Sequence, residues 1–178
     1  MAIDYRTEPE FIEYLDGKAH AKVSPRREHA LLQLRIGRTI EDCAGDRGTV
    51  STENDAILKR DDPGRTRLIP DVSYISEAQY RSHPPETWSE PPFSPEIAVE
   101  IRSPGDSKAY RDEKIARYLA TGSKLVLDVD PMARTFAVHA PGDVRVFAEA
   151  ETLEHPALPW LRFELRIIFE VLDRFKNL

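Results

Sequence analysis

A chain of 178 residues fits one domain, because single domains run to about 100–200 residues and a chain of this size buries about 70% of its unfolded surface without disulfides or a structural metal. One cysteine, Cys43, rules out an intrachain bridge and a zinc ribbon, and it favours a reducing compartment. The net charge of −6 argues against a protein that coats nucleic acid by neutralising phosphates, yet it leaves room for an enzyme with a local basic face.

The N-terminal stretch turns polar at Asp4, and no apolar run reaches the roughly 18–20 residues needed to cross a bilayer. We therefore expect a cytoplasmic protein that makes no membrane contact. Residues 11–23 read as a hairpin, with Asp16-Gly17 supplying the positive-φ pair of its tight turn and Glu13 on the first strand. A helix is expected from about Arg26 to Gly45, with Leu31, Leu34 and Ile40 roughly on one face, His29 in the first turn and Cys43 packing near the end.

Residues 49–59 and 68–75 read as strands. Pro70 interrupts the second and suits an edge or a bulge, so Asp71 follows a bend. Five prolines, Pro84, Pro85, Pro91, Pro92 and Pro95, make residues 82–95 a surface loop. Residues 96–101 are rich in Ile and Val and read as a strand stopped by Ser103-Pro104, which puts Glu100 near a strand end. A helix over 108–121, stopped by Gly122, and a strand over 124–129 follow. This strand, helix, strand order predicts two parallel strands joined by a right-handed crossover. Residues 135–139 and 144–147 flank Pro141-Gly142-Asp143 as a second hairpin. Residues 160–165 alternate apolar and charged positions, and 167–175 read as a terminal amphipathic helix.

The chemistry concentrates in Pro70-Asp71, Glu100 and Lys114. Magnesium takes hard oxygen ligands and often only one or two protein carboxylates, leaving its other positions to water and substrate phosphate. Asp71 at a bend and Glu100 on the next strand can meet across adjacent strands, because the proline-rich loop absorbs most of the chain between them. Glu100 is the harder of the two to dismiss as structural, since a carboxylate in an apolar strand is costly to bury unless it is paired or metal-bound. Each of the others has a bland reading: Asp71 as a turn residue, Lys114 as a solvent-facing helix residue, Glu13 as an exposed hairpin residue and His29 as a packing residue. The chain contains no phosphate-binding P-loop run, no Gly-X-Ser-X-Gly elbow and no His-Glu-X-X-His.

The succession Glu13-Tyr14-Leu15-Asp16-Gly17-Lys18, Ser24-Pro25, His29, Pro70-Asp71-Val72, Glu96 through Pro104, Lys114, Tyr118, Gly122 and Leu125 through Pro131 resembles the PD-(D/E)XK nuclease superfamily. It is more closely similar to the Uma-two family of restriction-endonuclease-like proteins. The resemblance implies a restriction-endonuclease-like α/β core with a mixed central sheet flanked by helices and an N-terminal hairpin. It also implies magnesium- or manganese-dependent phosphodiester hydrolysis, of DNA, by a homodimer. Asp71 and Glu100 would be metal ligands, Lys114 the positioning cation, Glu13 an auxiliary acid, and Arg102 and His29 substrate contacts. One position departs from the superfamily pattern. Arg102 stands two residues after the glutamate where lysine is expected, and arginine stays charged and cannot act as a base. The lysine role is then expected of Lys114.

Two rivals stay open on the residues alone. One is a binding module for nucleic acid or protein that kept the fold and lost the activity; the other is a structural homodimer whose acidic residues are merely surface. The apolar run Trp160, Leu161, Phe163, Ile167, Ile168 and Phe169 supplies either a subunit interface or the monomer's own core. Lys22, Arg26, Arg27, Arg35 and Arg38 form a basic stretch opposed by Glu28 alone, and residues 102–124 form a second. Each is either a nucleic-acid face or a solvated helix face.

Overall fold

The computed structural model describes residues 12–22, 26–59, 63–105 and 107–174. The hairpin is present as β1 (Ile12–Leu15) and β2 (Lys18–Ala21), with Asp16 at φ 49° and Gly17 at φ 82° in the turn. Two positive φ angles in succession match the right-handed twist of the paired strands. The expected hairpin ends at Phe11 and Val23, and the Ser24-Pro25 pair, lie outside the described residues.

Helix α1 (Arg27–Ala44) follows and stops at Gly45, φ 54°. Its buried face is Leu32, Ile36, Ile40 and Ala44. Leu34, expected on that face, is instead 71% exposed: the stripe runs at four-residue steps from Leu32, and Leu34 falls between its rows.

The strand expected over 49–59 is two strands in different sheets, β3 (Gly48–Thr52) and β4 (Ala56–Lys59). Glu53 at φ 54° turns the chain between them. The strand expected over 68–75 divides in the same way, into β5 (Thr66–Leu68) and β6 (Val72–Ser76). Pro70 lies between the two, so β6 is free to be an interior strand and not the edge strand that a proline would require. Helix α2 (Glu77–Arg81), not expected from the sequence, is capped by Ser76, whose hydroxyl accepts from Gln79 N at 3.1 Å. The remaining elements are β7 (Ile97–Ile101), α3 (Lys108–Ala120), β8 (Leu125–Asp130), β9 (Thr135–Ala140), β10 (Asp143–Ala148), β11 (Thr152–Glu154), β12 (Arg162–Glu164) and α4 (Arg166–Phe169). Only one turn of α-helix forms at the C-terminal end, continued by a 3-10 turn over Glu170–Leu172, where a longer helix was expected. Phe175 lies outside the described residues.

The larger sheet has the order β10-β9-β8-β7-β6-β3. It is mixed: β7 and β8 run parallel, as expected from the strand, helix, strand order, and the other neighbours are antiparallel. A smaller antiparallel sheet has the order β2-β1-β5-β4. Helix α1 packs its apolar face against Val72, Tyr74, Ile97, Val99 and Ile101. The opposite face of the larger sheet offers Ala98 and Val126 to Ile115 and Tyr118 of α3 and to Leu15 and Leu68 of the smaller sheet. Each fully buried Leu or Ile contributes about 1.5–3 kcal/mol. Leu161, Phe163, Ile168 and Phe169 belong to the core on the α1 side, so the apolar C-terminal residues close the monomer's own interior. No helix among the described residues is long and apolar enough to cross a membrane.

Candidate active site

Both passages from one sheet to the other bring a carboxylate to the same place. At the first, the turn between β3 and β4 presents Glu53. At the second, Ile69-Pro70-Asp71 links β5 to β6. Val72 pairs with Val99, and the next rung would set residue 70 against Ile101. The bend at Pro70 withdraws that backbone partner, and Ile101 N donates instead to Asp71 Oδ2 at 2.6 Å. The Asp71 carboxylate is thus held by the end of β7, one residue beyond Glu100. Because side chains alternate along a strand, Val99 and Ile101 face α1 while Glu100 faces α3.

Helix α3 carries Tyr110, Lys114 and Tyr118 at four-residue spacing, which aligns them on one face. Lys114 Nζ lies 2.7 Å from Glu100 Oε2 and 2.8 Å from Glu13 Oε1. Tyr118 donates its hydroxyl to Glu100 Oε1 at 2.8 Å, and Tyr110 donates to Glu13 Oε2 at 2.9 Å. Ile69 N donates to Glu13 Oε1 at 2.8 Å. Helix α1 serves the other half of the cluster through a second pair at four-residue spacing. His29 Nε2 donates to Asp71 Oδ2 at 3.1 Å, and Gln33 Nε2 donates to Asp71 O and to Glu53 Oε1, each at 2.8 Å. Lys22 Nζ, just past β2, lies 2.8 Å from both Asp71 Oδ1 and Glu53 Oε2.

Four carboxylates, two ammonium groups and one imidazole therefore share a largely buried seam. Glu13, Asp71 and Lys114 are 3–5% exposed. Burying such charges is costly unless they are paired and hydrogen-bonded, and their pairing shows in their acidities. Burial works to raise the Asp71 carboxyl, but the His29 hydrogen bond and the Lys22 charge outweigh it and hold the group well below the usual carboxylate range. Burial is likewise outweighed at Glu13 by Lys114 and Lys22, so that carboxyl is also lowered. At His29, burial opposes protonation and Asp71 overcomes it, so the imidazole is raised. Glu100 goes the other way. Its burial, with the Asp71 and Glu13 charges added, outweighs Lys114 and pushes it up to about 7.

A carboxyl that is more acidic unfolded than folded stabilises the protein below its unfolded value, and that stabilisation is lost as pH rises through the folded one. For Glu100 the window runs from 4.5 to about 7 and is worth on the order of 3 kcal/mol. His29, also raised, adds a loss of the same sign above its ordinary 6.5. In chelator, the melting temperature of Glu100→Gln should fall less steeply than that of wild type as pH rises through this range. Parallel profiles for the two proteins would refute this account of Glu100.

The family model described as "Uma2: Putative restriction endonuclease" matches residues 2–167. The chain belongs to the Uma2 family. The Uma2 chain also superposes on the crystal structure of a "putative nuclease belonging to DUF820" from Anabaena variabilis, with a TM-score of 0.77 at 21% identity over 90% of each chain. At that identity the likeness establishes the shared fold. No curated protein matches.

Of the residues singled out in the Uma2 sequence, the structure gathers Glu13, His29, Asp71, Glu100 and Lys114. It does not gather Arg102. That guanidinium forks onto Asp128 at 2.6 and 2.8 Å and onto Asp130 at 2.7 Å, and it makes none of the bonds that join the cluster. His29, expected to meet substrate, turns Nε2 to Asp71, while its buried Nδ1 has no hydrogen-bond partner among the described residues. The second basic stretch is largely neutralised: Lys108 pairs with Asp112, Arg111 with Asp128, Arg117 with Asp16 and Lys124 with Glu96.

Gln33, Glu53 and Tyr110 are not singled out in the sequence, Lys22 stands there only in a basic stretch and Tyr118 only in the family resemblance, yet all five join the cluster. Two signals for them exist in the sequence. The Asp16-Gly17 turn sets Glu13 opposite His20, and period-two alternation then puts Lys22 on the Glu13 face. The Tyr110, Lys114, Tyr118 spacing is visible by eye. Nothing in the sequence marks Glu53, a glutamate in a backbone region that favours glycine and asparagine.

The donor chemistry fits a hard divalent cation. Asp71 and Glu100 offer carboxylate oxygens that each keep lone-pair capacity beyond the bonds described, and the four carboxylates outnumber the two ammonium groups. Among the described residues, no three His, Cys, Asp or Glu side chains are gathered tightly enough to ligate one ion as they stand.

Proposed function

We propose that this protein is a metal-dependent endonuclease that hydrolyses phosphodiester bonds of DNA. The observation that carries the reading is the convergence of Asp71, Glu100 and Lys114 with Glu13 at the seam of a nuclease fold. Asp71 and Glu100 would hold a magnesium or manganese ion. Such an ion lowers the pKa of a bound water and offsets charge on the phosphoryl oxygens. The chain's own residues supply orientation. Lys114 and Tyr118 fix the two oxygens of Glu100, Lys114 and Tyr110 fix Glu13, and His29 with Ile101 N fixes one oxygen of Asp71. Rigid placement of this kind reduces the reorganisation left for the reaction step.

Arg26, Arg27 and Arg38 are exposed on or beside α1, the helix that delivers His29 and Gln33, and this is the face by which an acidic chain would approach DNA. Purified protein should nick supercoiled plasmid with magnesium or manganese at low salt and be inactive in chelator. Apparent DNA affinity should fall with salt by about 0.9 in log K per phosphate contact. Cleavage that survives chelation would overturn the proposal.

A further inference from the structure

The seam already holds a cation of its own. Lys22 Nζ sits 2.8 Å from Asp71 Oδ1, 2.8 Å from Glu53 Oε2 and 2.6 Å from Ile69 O, to which it donates. Two carboxylate oxygens and a backbone carbonyl form the all-oxygen donor set that a magnesium or manganese ion takes. They come from the two passages between sheets, so their meeting at one ammonium is a product of the tertiary fold. The Lys22 side chain is only 14% exposed. Glu53 reaches it from a left-handed backbone conformation, φ 54°, which costs about 1 kcal/mol or more in a residue other than glycine. Gln33 secures the other oxygen of Glu53. The acidic groups of the seam pair with Lys22, Lys114 and His29.

We propose that Lys22 is a built-in competitor of the catalytic metal, its ammonium standing in the cation position of the metal-free protein and leaving Asp71 and Glu53 when the ion binds. The inference rests on the metal-dependent reading given above. Lysine suits the part, because its charge is a compact point on a flexible four-carbon stem, whereas an arginine fork would be locked by planar pairing. While Lys22 is docked, Asp71 and Glu53 remain paired and the seam stays folded without metal. The exchange sets the metal affinity: when only a fraction of molecules have Lys22 withdrawn, the apparent affinity is reduced by that fraction. The carbonyl of Ile69 and the carboxylate of Glu53 become free for the ion or its waters once the ammonium leaves.

Two measurements test this together. Calorimetric titration with manganese should show Lys22→Met binding about tenfold or more tighter than wild type. In the wild-type protein, an amine-acylating reagent read by peptide mass spectrometry should modify Lys22 faster when manganese is present than in chelator. The labelling needs no variant, so it decides the question even if Lys22→Met fails to fold with Asp71 and Glu53 unpaired. Unchanged or weaker manganese affinity in the variant, or Lys22 labelling unaltered or slowed by manganese, overturns the competitor role and leaves the metal site standing. If neither protein binds manganese, the competitor role falls together with the metal-dependent reading.

Discussion

Asparagine at position 71 should lower metal-dependent cleavage by about a hundredfold or more while leaving the chain folded. The substitution keeps the shape of Asp71 and removes its charge. An amide oxygen can still accept from Ile101 N or from His29, but it no longer supplies the anionic oxygen that a divalent cation requires. Losing even an outer-shell partner of a metal typically costs 10–100-fold, and a ligand should cost at least as much. Glu100→Gln should act on the same scale, because it removes the second anionic oxygen while Lys114 and Tyr118 remain to hold the side chain. The check pairs a plasmid-nicking rate with a manganese titration, and rate and affinity should fall together. Either variant retaining more than about a tenth of wild-type activity would remove that residue from the metal site.

Replacing Lys114 with methionine should have the largest effect on stability, about 3–5 kcal/mol. Lys114 is 5% exposed and is shared by Glu13 and Glu100. Removing one member of a buried charged set leaves the others uncompensated, which is where a cost of that size arises. For a chain of this length it amounts to a melting-temperature drop of roughly 10 °C. Two further readouts separate this cause from lost packing. The deficit should shrink at acidic pH, where the stranded carboxyls protonate, and Lys114→Met combined with Glu13→Gln should recover part of the loss as a non-additive pair. A single variant within about 1 kcal/mol of wild type, or a double variant that is simply additive, would show that Lys114 is not the counter-charge the geometry makes it.

Much of this architecture was legible in the sequence, because local chemistry suffices for it. Asp16-Gly17 specifies a tight hairpin by its positive φ angles. Gly45 and Gly122 stop their helices. An apolar strand, a helix and a second apolar strand read as a parallel pair joined by a crossover. The prominent site residues were legible for a related reason: a proline followed by aspartate, and a glutamate within an Ile/Val strand, are each costly arrangements that invite a function.

The tertiary structure decided the rest, because it depends on which strand pairs with which. Residues 49–59 and 68–75 each read as one strand, the second bent at Pro70, yet each crosses between sheets, at Glu53 and at Pro70. Those crossings create the seam where the charges meet. Arg102 sits two residues after Glu100 in the motif, but Asp128 and Asp130 on the neighbouring strand claim its guanidinium. Lys22 reads as one more member of a basic surface stretch, and only the convergence of Asp71, Glu53 and the Ile69 carbonyl turns it inward. The apolar C-terminal residues were ambiguous between an interface and a core for the same reason: hydrophobicity says that a side chain will be buried, and only the packed chain says against what.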